Sequence, residues 1–175
     1  MTSEAAISLL QHEGRGISHG SNWIELGAGN GVFTRALANC LKGNSKILAI
    51  DRSISGALRE IQQHGVAIET LQGDFNTMSL PEMAADGILI ANAIHYVVDK
   101  KGFLSRWADC LQPGGVFCLV EYDTSLANQW VPYPVPAADI GKVFEGIGFG
   151  KTDFINRVAS RYHKGGIYSV LARRG

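Results

Sequence analysis

The sequence predicts an α/β fold, a doubly wound and mostly parallel seven-stranded sheet with helices on both faces. Short runs that are almost entirely apolar, such as 46–50 and 88–90, indicate strands that are buried on both faces, which is typical of parallel sheets. Between such runs, apolar residues recur at helical spacing, most clearly over residues 32–41. The resulting order, β-α-β-α-β-β-α-β-α-β-β, indicates parallel strands joined by crossover connections.

The boundaries of the elements follow from the same periodicities and from capping and turn residues. Strands are expected at about residues 22–26, 46–50, 66–71, 88–90, 116–122, 151–158 and 166–173. Helices are expected at about residues 3–12, 30–42, 54–61, 99–111 and 137–147. The last two strands alternate with period two and suit a closing antiparallel pair. We expect one domain over residues 1–175, with residues 1–21 as a short N-terminal helical extension.

The composition restricts the classes of partner. Sixteen basic and sixteen acidic residues give a formal net charge of +0, so no overall field attracts the chain to nucleic acid or to an anionic membrane. Cys40, Cys110 and Cys118 lie far apart in apolar segments, which indicates reduced core thiols, and no metal-ligand spacing is present. The sequence shows no signal peptide and no membrane-spanning run, so a cytoplasmic location is expected. A homodimer is compatible with these properties.

The turn Gly27-Ala28-Gly29-Asn30-Gly31 connects the first predicted strand of the sheet to a helix. Such a turn directs backbone N–H groups and the positive end of the helix toward a ligand, and its glycines leave no Cβ in the way. The dinucleotide fingerprint is G-x-G-x-x-G, but here Val32 occupies the place of its third glycine. The carboxylate of Glu25, two residues before the turn, disfavours a pyrophosphate and favours a cationic ligand.

Residues 25–31 resemble the first motif of class I S-adenosylmethionine (SAM)-dependent methyltransferases, E-x-G-x-G-x-G. The resemblance covers about residues 22–175 and implies the Rossmann-like methyltransferase fold, in which the last strand is antiparallel. It implies that the cofactor is S-adenosyl-L-methionine and that the product is S-adenosyl-L-homocysteine. The sulfonium and ammonium of SAM suit the charge of Glu25. The residues that it assigns to cofactor binding in this motif are Glu25, Gly27, Ala28, Gly29 and Gly31.

The second predicted strand of the sheet ends at an acid that suits a ribose. Asp51 stands 20 residues after Gly31, and a carboxylate in this position accepts two hydrogen bonds from a ribose diol. Its alternative role is to cap the next helix, for which Ser53 is the better candidate. The same acid suits a nicotinamide cofactor, so Asp51 alone does not discriminate between the two ligands. Arg52, the next residue, is assigned to cofactor binding with it.

Two later strand ends complete the expected cofactor site. Asp74 and Phe75 belong to a G-D-x step that resembles the adenine site of these methyltransferases, where the acid meets the exocyclic amine and the next amide meets the ring. The alternative is an ordinary turn residue. Asn92 follows the fourth strand, where the resemblance implies contact with the methionine end of SAM. The segment around it lacks the proline motifs of adenine, glutamine and cytosine methyltransferases, which disfavours nucleic acid as the substrate.

His95 and Tyr96 are the candidate catalytic residues, with Glu121 and Tyr122 at the end of the next strand. An oxygen acid or a thiol as methyl acceptor needs a base, and His95 is either that base or a residue that packs in the core or contacts the substrate. Tyr96 is either catalytic or part of a pocket wall. The proline-rich loop 123–136, which carries Trp130 and Tyr133, either lines an apolar or aromatic acceptor pocket or packs on the adjoining helix.

Three functions are compatible with these features. The first is SAM-dependent methyl transfer to a small-molecule acceptor, which would make the chain an enzyme of the transferase class. The second is a SAM-binding subunit without catalysis, because the cofactor motifs would be the same. The third is a nicotinamide-dependent oxidoreductase, which Val32 and Glu25 disfavour.

Overall fold

Helices and strands alternate along most of the chain. The structure is a computed structural model that describes residues 1–17, 21–63, 65–162 and 164–174. Its strands are β1 (Gln11–His12), β2 (Arg15–Gly16), β3 (Asn22–Leu26), β4 (Ser45–Asp51), β5 (Val66–Gln72), β6 (Ala85–Ala91), β7 (Leu111–Tyr122), β8 (Asp153–Val158) and β9 (Ile167–Arg173). Its helices are α1 (Ser3–Leu10), α2 (Val32–Cys40), α3 (Gly56–Arg59), α4 (Lys100–Ala108) and α5 (Ala137–Glu145), with a 3₁₀ turn at Ile94–Tyr96. Within the described ranges, no helix combines the length and the apolar character needed to cross a lipid bilayer.

Seven of the strands form one sheet in the order β5-β4-β3-β6-β7-β9-β8. Pairing is parallel from β5 to β7, whereas β9 runs antiparallel to both β7 and β8. The predicted fold class, a mostly parallel seven-stranded sheet whose last strand is antiparallel, is confirmed. The chain builds outward from β3 through β4 to β5 and then returns to the other side of β3 with β6. The carboxyl ends of β3 and β6 therefore flank the strand-order reversal, where open α/β sheets bind ligands.

Two apolar layers cover the two faces of this sheet. β3 shows the division, because successive side chains of a strand point to opposite faces. Ile24 and Leu26 belong to the layer that contains Trp107 of α4, whereas Trp23 belongs to the layer that contains Leu37 of α2. All five side chains are at most 1% exposed. The central strands are therefore buried on both sides, as their continuous apolar runs predict.

The helix that follows β4 is shorter than the sequence predicts. α3 has four residues, whereas apolar spacing predicted a helix over 54–61. Its N-cap is Ser55, whose hydroxyl accepts a hydrogen bond from a first-turn amide at 3.1 Å, so the prediction of Ser53 as the cap is wrong. The amide of Ser53 instead donates to the Asp51 carboxylate at 3.0 Å. This local turn delays the start of the helix, because the acid competes for backbone that a longer helix would use.

Two other boundaries also differ from the prediction. α1 ends at Leu10 rather than near residue 12, because the chain turns into the antiparallel pair in which Gln11 faces Gly16. β7 begins at Leu111, where the sequence predicted the end of a helix, and this residue pairs with Ala85 of β6. Residues 18–20 of the predicted N-terminal extension 1–21 lie outside the described residues.

β6 passes so close to the ring of Trp23 that a glycine is required at position 87. A Cβ added to Gly87 would lie less than 3.0 Å from three carbons of that buried ring. Gly87→Ala is therefore expected to lower the free energy of unfolding by about 1–3 kcal/mol, because the core must shift to admit a methyl group. Gly43→Ala is the matched control, since its added Cβ would meet nothing within 4 Å. Urea denaturation measures both variants, and equal stabilities would contradict this packing.

Candidate active site

The glycine turn joins β3 to α2 at the carboxyl edge of the sheet. Gly27, Gly29 and Gly31 have φ values of 81°, 55° and 82°, which glycine adopts without strain. The amides of Gly27 and Ala28 both donate to the Ile50 carbonyl of β4, at 2.8 and 3.1 Å. The turn is therefore held against the end of the neighbouring strand.

Two more amides of the turn also have partners within the chain. The Gly29 amide donates to Asp51 Oδ2 at 2.8 Å, and the Gly31 amide donates to the Ala28 carbonyl at 2.9 Å. The expectation that the turn presents its amides to a ligand is therefore wrong for four of them. What the turn does provide is uncovered backbone, since a Cβ added to Gly29 would meet no atom within 4 Å.

A cleft of about 740 Å³ lies over this turn. Part of its lining follows from the sequence motifs, namely Glu25, Gly27, Ala28, Gly29, Asn30, Val32, Phe33, Ala91 and Asn92. The rest comes from distant segments, namely Met1, Thr2, Ala5, Tyr122, residues 158–162 and Ile167. Sequence reasoning missed most of the second group, because a local motif carries no information about which remote segments fold over it.

Glu25 lies in this cleft as a buried carboxyl group. Its side chain is 1% exposed, and Thr34 of α2 donates a hydrogen bond to Glu25 Oε2 at 2.5 Å. Burial raises the pKa of Glu25 to about 7, the hydrogen bond from Thr34 acts in the opposite direction, and the charge of Asp51 adds to the rise. A cation placed beside Glu25 would stabilise its charged form, so the site is suited to a cationic group.

Asn92 lies at the end of β6 in a conformation that few residues adopt. Its φ is 49°, and its amide donates to the Val120 carbonyl at 2.8 Å. Its side-chain Oδ1 is buried and finds no hydrogen-bond partner among the described residues. A buried acceptor without a partner costs about 1–3 kcal/mol, so a ligand that donates a hydrogen bond here would recover that energy.

Asp51 and Arg52 lie beyond the glycine turn, outside the lining of the cleft. Both oxygens of Asp51 already accept amide hydrogen bonds, from Gly29 at 2.8 Å and from Ser53 at 3.0 Å. Each carboxylate oxygen keeps a second lone pair, so further donors can still be accepted. The Nε atom of Arg52 lies 4.0 Å from Oδ2 of Asp74, which brings the ends of β4 and β5 together.

Asp74 and Phe75 follow β5, and their side chains have different environments. Oδ1 of Asp74 accepts a hydrogen bond from the Asn76 amide at 2.9 Å, which forms a local turn. The Phe75 side chain is 5% exposed and packs edge-to-face on Phe103, with ring centroids 5.7 Å apart. Its carbonyl accepts a hydrogen bond from the Trp107 indole at 3.2 Å. Phe75 is thus part of the core, and only its backbone amide remains for a ligand.

A second cavity of about 490 Å³ adjoins the first at Asn92. Its described lining is mostly aromatic and contains no Asp, Glu, Lys or Arg. It consists of Asn92, His95, Tyr96, Tyr122, Asn128, Trp130, Val131 and Tyr162. Trp130 and Tyr162 are 71% and 82% exposed, so they form its open rim. Asn92, Tyr122 and Tyr162 line both cavities, so the two cavities are adjacent.

His95, which lines the second cavity, forms a buried pair with Glu121. Nδ1 of His95 lies 2.9 Å from both carboxylate oxygens of Glu121, and the two side chains are 2% and 0% exposed. The Tyr122 amide also donates to Glu121 Oε1 at 2.7 Å. The carboxylate accepts the Nδ1 proton, so Nε2 is the ring nitrogen left to accept one. Sequence reasoning named both residues but not their contact, which depends on β6 and β7 being neighbours.

Two aromatic side chains near His95 take different positions. Tyr96 lies at the rim of the second cavity, 44% exposed, with its ring centroid 4.3 Å from that of His95. Tyr133, which we expected beside Trp130 in a pocket wall, does not line the cavity. Its amide donates to the His95 carbonyl at 3.0 Å, and the ammonium of Lys100 lies 6.0 Å from the centre of its ring. The loop 123–136 therefore contributes Trp130 to the wall and anchors itself through Tyr133.

The cysteines take no part in these cavities. All three are free thiols, and Cys110 and Cys118 are buried, whereas Cys40 is partly exposed. Burial raises the pKa of Cys40 to about 11, which disfavours the reactive thiolate at neutral pH. Among the residues that the structure describes, no three His, Cys, Asp or Glu side chains are grouped so as to hold a metal ion.

Known proteins are similar in sequence to this chain. Residues 24–115 match a family model described as a methyltransferase domain. Sterol 24-C-methyltransferases of Aspergillus fumigatus and Gibberella zeae are each 29% identical, over 118 and 112 residues. These matches cover 65% and 61% of this chain but 30% and 29% of the relatives. The chain thus spans less than a third of their length.

Solved structures share the fold. One is a 1,6-didemethyltoxoflavin-N1-methyltransferase of Burkholderia thailandensis with 1,6-didemethyltoxoflavin and S-adenosylhomocysteine bound. It is 20% identical to this chain and has a TM-score of 0.74, and the match covers 98% of this chain and 77% of that one. A possible histamine N-methyltransferase of Thermotoga maritima has 15% identity and a TM-score of 0.70 over 99% and 89%. Because the family model matches more than half of its residues, the chain belongs to the methyltransferase domain family, which confirms its resemblance to class I SAM-dependent methyltransferases.

Proposed function

We propose that the chain transfers a methyl group from S-adenosyl-L-methionine to a small-molecule acceptor, with His95 as the general base. The observation that carries this proposal is the junction of two cavities at Asn92. One cavity lies over the glycine turn that resembles the SAM motif, and the other is lined by His95, whose ring is paired with the buried Glu121. A cofactor in the first and an acceptor in the second would place their reacting atoms together, which is the main requirement of methyl transfer.

The cleft over the glycine turn fits the amino-acid end of the cofactor. Glu25 and Asn92 Oδ1 are buried acceptors that lack a cationic partner among the described residues. An ammonium group donates hydrogen bonds to both and offsets the buried charge of Glu25. We assign the turn residues Gly27, Ala28, Gly29 and Gly31 to the backbone surface on which this end of the cofactor lies.

The adenosine end is assigned to the residues beyond the turn. Asp51 keeps lone pairs for the ribose hydroxyls, and we assign adenine to the Asp74 side chain and the Phe75 amide, which follow β5, the neighbour of β4. Arg52 has a positioning role in this assignment, because its guanidinium lies beside the Asp74 carboxylate. The cofactor would thus extend from the ends of β4 and β5 across the turn to Asn92.

The acceptor is assigned to the aromatic cavity. With Trp130, Tyr96 and Tyr162 at its rim and no Asp, Glu, Lys or Arg among its described lining residues, the cavity suits an uncharged, apolar or aromatic molecule. Two similar proteins, the sterol and the 1,6-didemethyltoxoflavin methyltransferases, are named for small-molecule acceptors. Their names support the size class of the acceptor rather than its identity.

The His95–Glu121 pair supplies the proton chemistry in this mechanism. Bound SAM supplies an electrophilic methyl group on a sulfonium. Glu121 holds the proton on Nδ1 of His95, which leaves Nε2 to take the proton that the acceptor atom loses as it bonds to the methyl carbon. The electron pair of the broken carbon–sulfur bond stays on sulfur. The buried Glu121 carboxylate then stabilises the imidazolium, while Tyr96 serves as a wall beside it.

Cofactor binding is the first prediction from this proposal. SAM or S-adenosylhomocysteine at a hundred times its Kd should add about 2.7 kcal/mol of stability, because it binds only the folded state. For a chain of this size the melting temperature should rise by roughly 5–11 °C. Differential scanning fluorimetry with NAD as the control ligand tests this expectation. A shift with NAD and none with SAM would favour the oxidoreductase, and binding without labelled-methyl transfer to a panel of phenols, amines and thiols would favour the non-catalytic subunit.

Glu25→Gln should stabilise the ligand-free protein while weakening the binding of S-adenosylhomocysteine. The pKa of Glu25 is about 7 when folded and 4.5 when unfolded, so the folded state binds this proton more tightly. The stability that results is complete below about pH 4.5 and is lost as the pH rises to about 7. At pH 8 the variant should therefore be more stable than the wild type by up to about 3 kcal/mol.

Urea denaturation between pH 5 and pH 8 measures this difference. Glu82→Gln, at an exposed position, is the control and should leave the pH profile unchanged. If Glu25→Gln and the wild type lose stability in parallel across this range, the assignment of a raised pKa to Glu25 is wrong.

His95→Gln should lower turnover by at least about a hundredfold while the Kd of S-adenosylhomocysteine changes little, because a base is lost and the cleft is not. The wild-type rate should fall in acid, since protonated imidazole accepts no proton, and the residual rate of the variant should lack that fall. Glu121→Gln should also slow turnover, because the imidazolium loses its counter-charge. His12→Gln, in β1, is the matched control. Near-normal turnover of His95→Gln with an unchanged pH profile would make His95 a wall residue.

A further inference from the structure

The cleft over the glycine turn contains two charged side chains among its described lining residues. One is Glu25, and the other is Arg161, which lies in the segment after β8. The side chains of the other described lining residues are neutral. A single carboxylate and a single guanidinium on the walls of one cleft form a pattern that is complementary to a zwitterion.

The sheet brings Arg161 to this cleft although β8 is the outermost strand. Val158, the last residue of β8, pairs with Ile167 of β9, and Ile167 in turn pairs with Tyr122 at the end of β7. The segment 159–162 therefore leaves the sheet at the edge where Asn92 and the glycine turn lie. Residues 158–162 all line the cleft, so the position of Arg161 is part of a continuous wall.

A carboxylate in the cleft finds few donors in the glycine turn. The amides of Gly27 and Ala28 donate to Ile50, that of Gly29 donates to Asp51, and that of Gly31 donates within the turn. These four amides are therefore already occupied and are not offered to an anion at this turn. Glu25 and Asn92 Oδ1 are acceptors, which repel a carboxylate and suit an ammonium instead.

We propose that Arg161 binds the carboxylate of the amino-acid end of the cofactor and thereby selects SAM and S-adenosylhomocysteine over nucleosides that lack this end. The inference rests on the proposed function, since it takes SAM as the ligand of the cleft. A guanidinium matches a carboxylate with two parallel hydrogen bonds, which makes it more selective than a neutral donor. The next residue, Tyr162, lines both cavities, so the contact also fixes a wall of the acceptor cavity.

The test compares two ligands that differ in this end. Isothermal titration calorimetry measures the Kd of S-adenosylhomocysteine and of 5′-methylthioadenosine, which has no amino-acid group, for each variant. Arg161→Gln should weaken S-adenosylhomocysteine at least tenfold and leave 5′-methylthioadenosine unchanged, because one charge-assisted contact is lost. Arg161→Lys should recover part of the affinity. Lys164→Gln is the matched control, since it removes an exposed cation from the same connection outside the cleft and should change neither Kd.

Three results would overturn the assignment of Arg161. The first is an unchanged Kd of S-adenosylhomocysteine in Arg161→Gln. The second is an equal loss for both ligands, which indicates a structural role. The third is an equal effect of Arg161→Gln and Lys164→Gln on the Kd of S-adenosylhomocysteine. That result would indicate a long-range electrostatic effect of positive charge rather than a direct contact with Arg161. A wild-type chain that binds neither ligand would instead refute the proposed function itself, so the two failures are distinguishable.

Discussion

The hydrogen bonds between the glycine turn and the end of β4 are the constraint on which the site depends. The Ile50 carbonyl accepts two amides of the turn and the Asp51 carboxylate accepts a third, so the turn cannot move independently of that strand. On its other side the turn contacts the segment after β6, since a Cβ added to Gly27 would lie 2.8 Å from the Ala93 Cβ. The turn is thereby fixed between the ends of β4 and β6, and it forms part of the wall of the cleft, which adjoins the aromatic cavity at Asn92. The amides of the turn hold it in place, and its backbone, which the glycines leave uncovered, is the surface on which a ligand can lie.

Two buried carboxyl groups at this edge have opposite environments. Glu25 has a neutral partner, Thr34, and burial raises its pKa, so its charge is stabilised only when a cation arrives from outside the chain. Glu121 faces His95 inside the chain, so its charge is already matched to a group that can gain a proton. The first arrangement is suited to holding a cationic ligand, and the second is suited to moving a proton. Burying an acid without a cationic partner lowers the stability of the folded chain. Binding sites commonly contain groups that are destabilising in this way.

The two cavities meet because of where β6 ends. Asn92 leaves that strand with a positive φ, which turns its side chain between the cleft and the aromatic cavity, and its oxygen remains without a partner among the described residues. Tyr122, at the end of the neighbouring β7, lines both cavities as well. Parallel neighbours end at the same edge, so residues 30 positions apart become adjacent walls. In the proposed function, the order of the strands in the sheet would thus bring the methyl donor and the methyl acceptor next to each other.

The sequence by itself determined the seven-stranded sheet, its antiparallel last strand, the glycine turn, and the polar residues that end successive strands. These features depend on local periodicity and on the rule that parallel strands end at one edge, so they can be read from spacing alone. The apolar spacing did not predict how short α3 is, because Asp51 accepts a hydrogen bond from the amide of Ser53 and so competes with the helix for backbone. Only the tertiary structure decided that the amides of the turn bond within the chain, that His95 faces Glu121, and that residues 158–162 wall the cleft. Each of these contacts joins residues that are distant in the chain or compete for one partner, and neither circumstance leaves a periodic signal in the sequence.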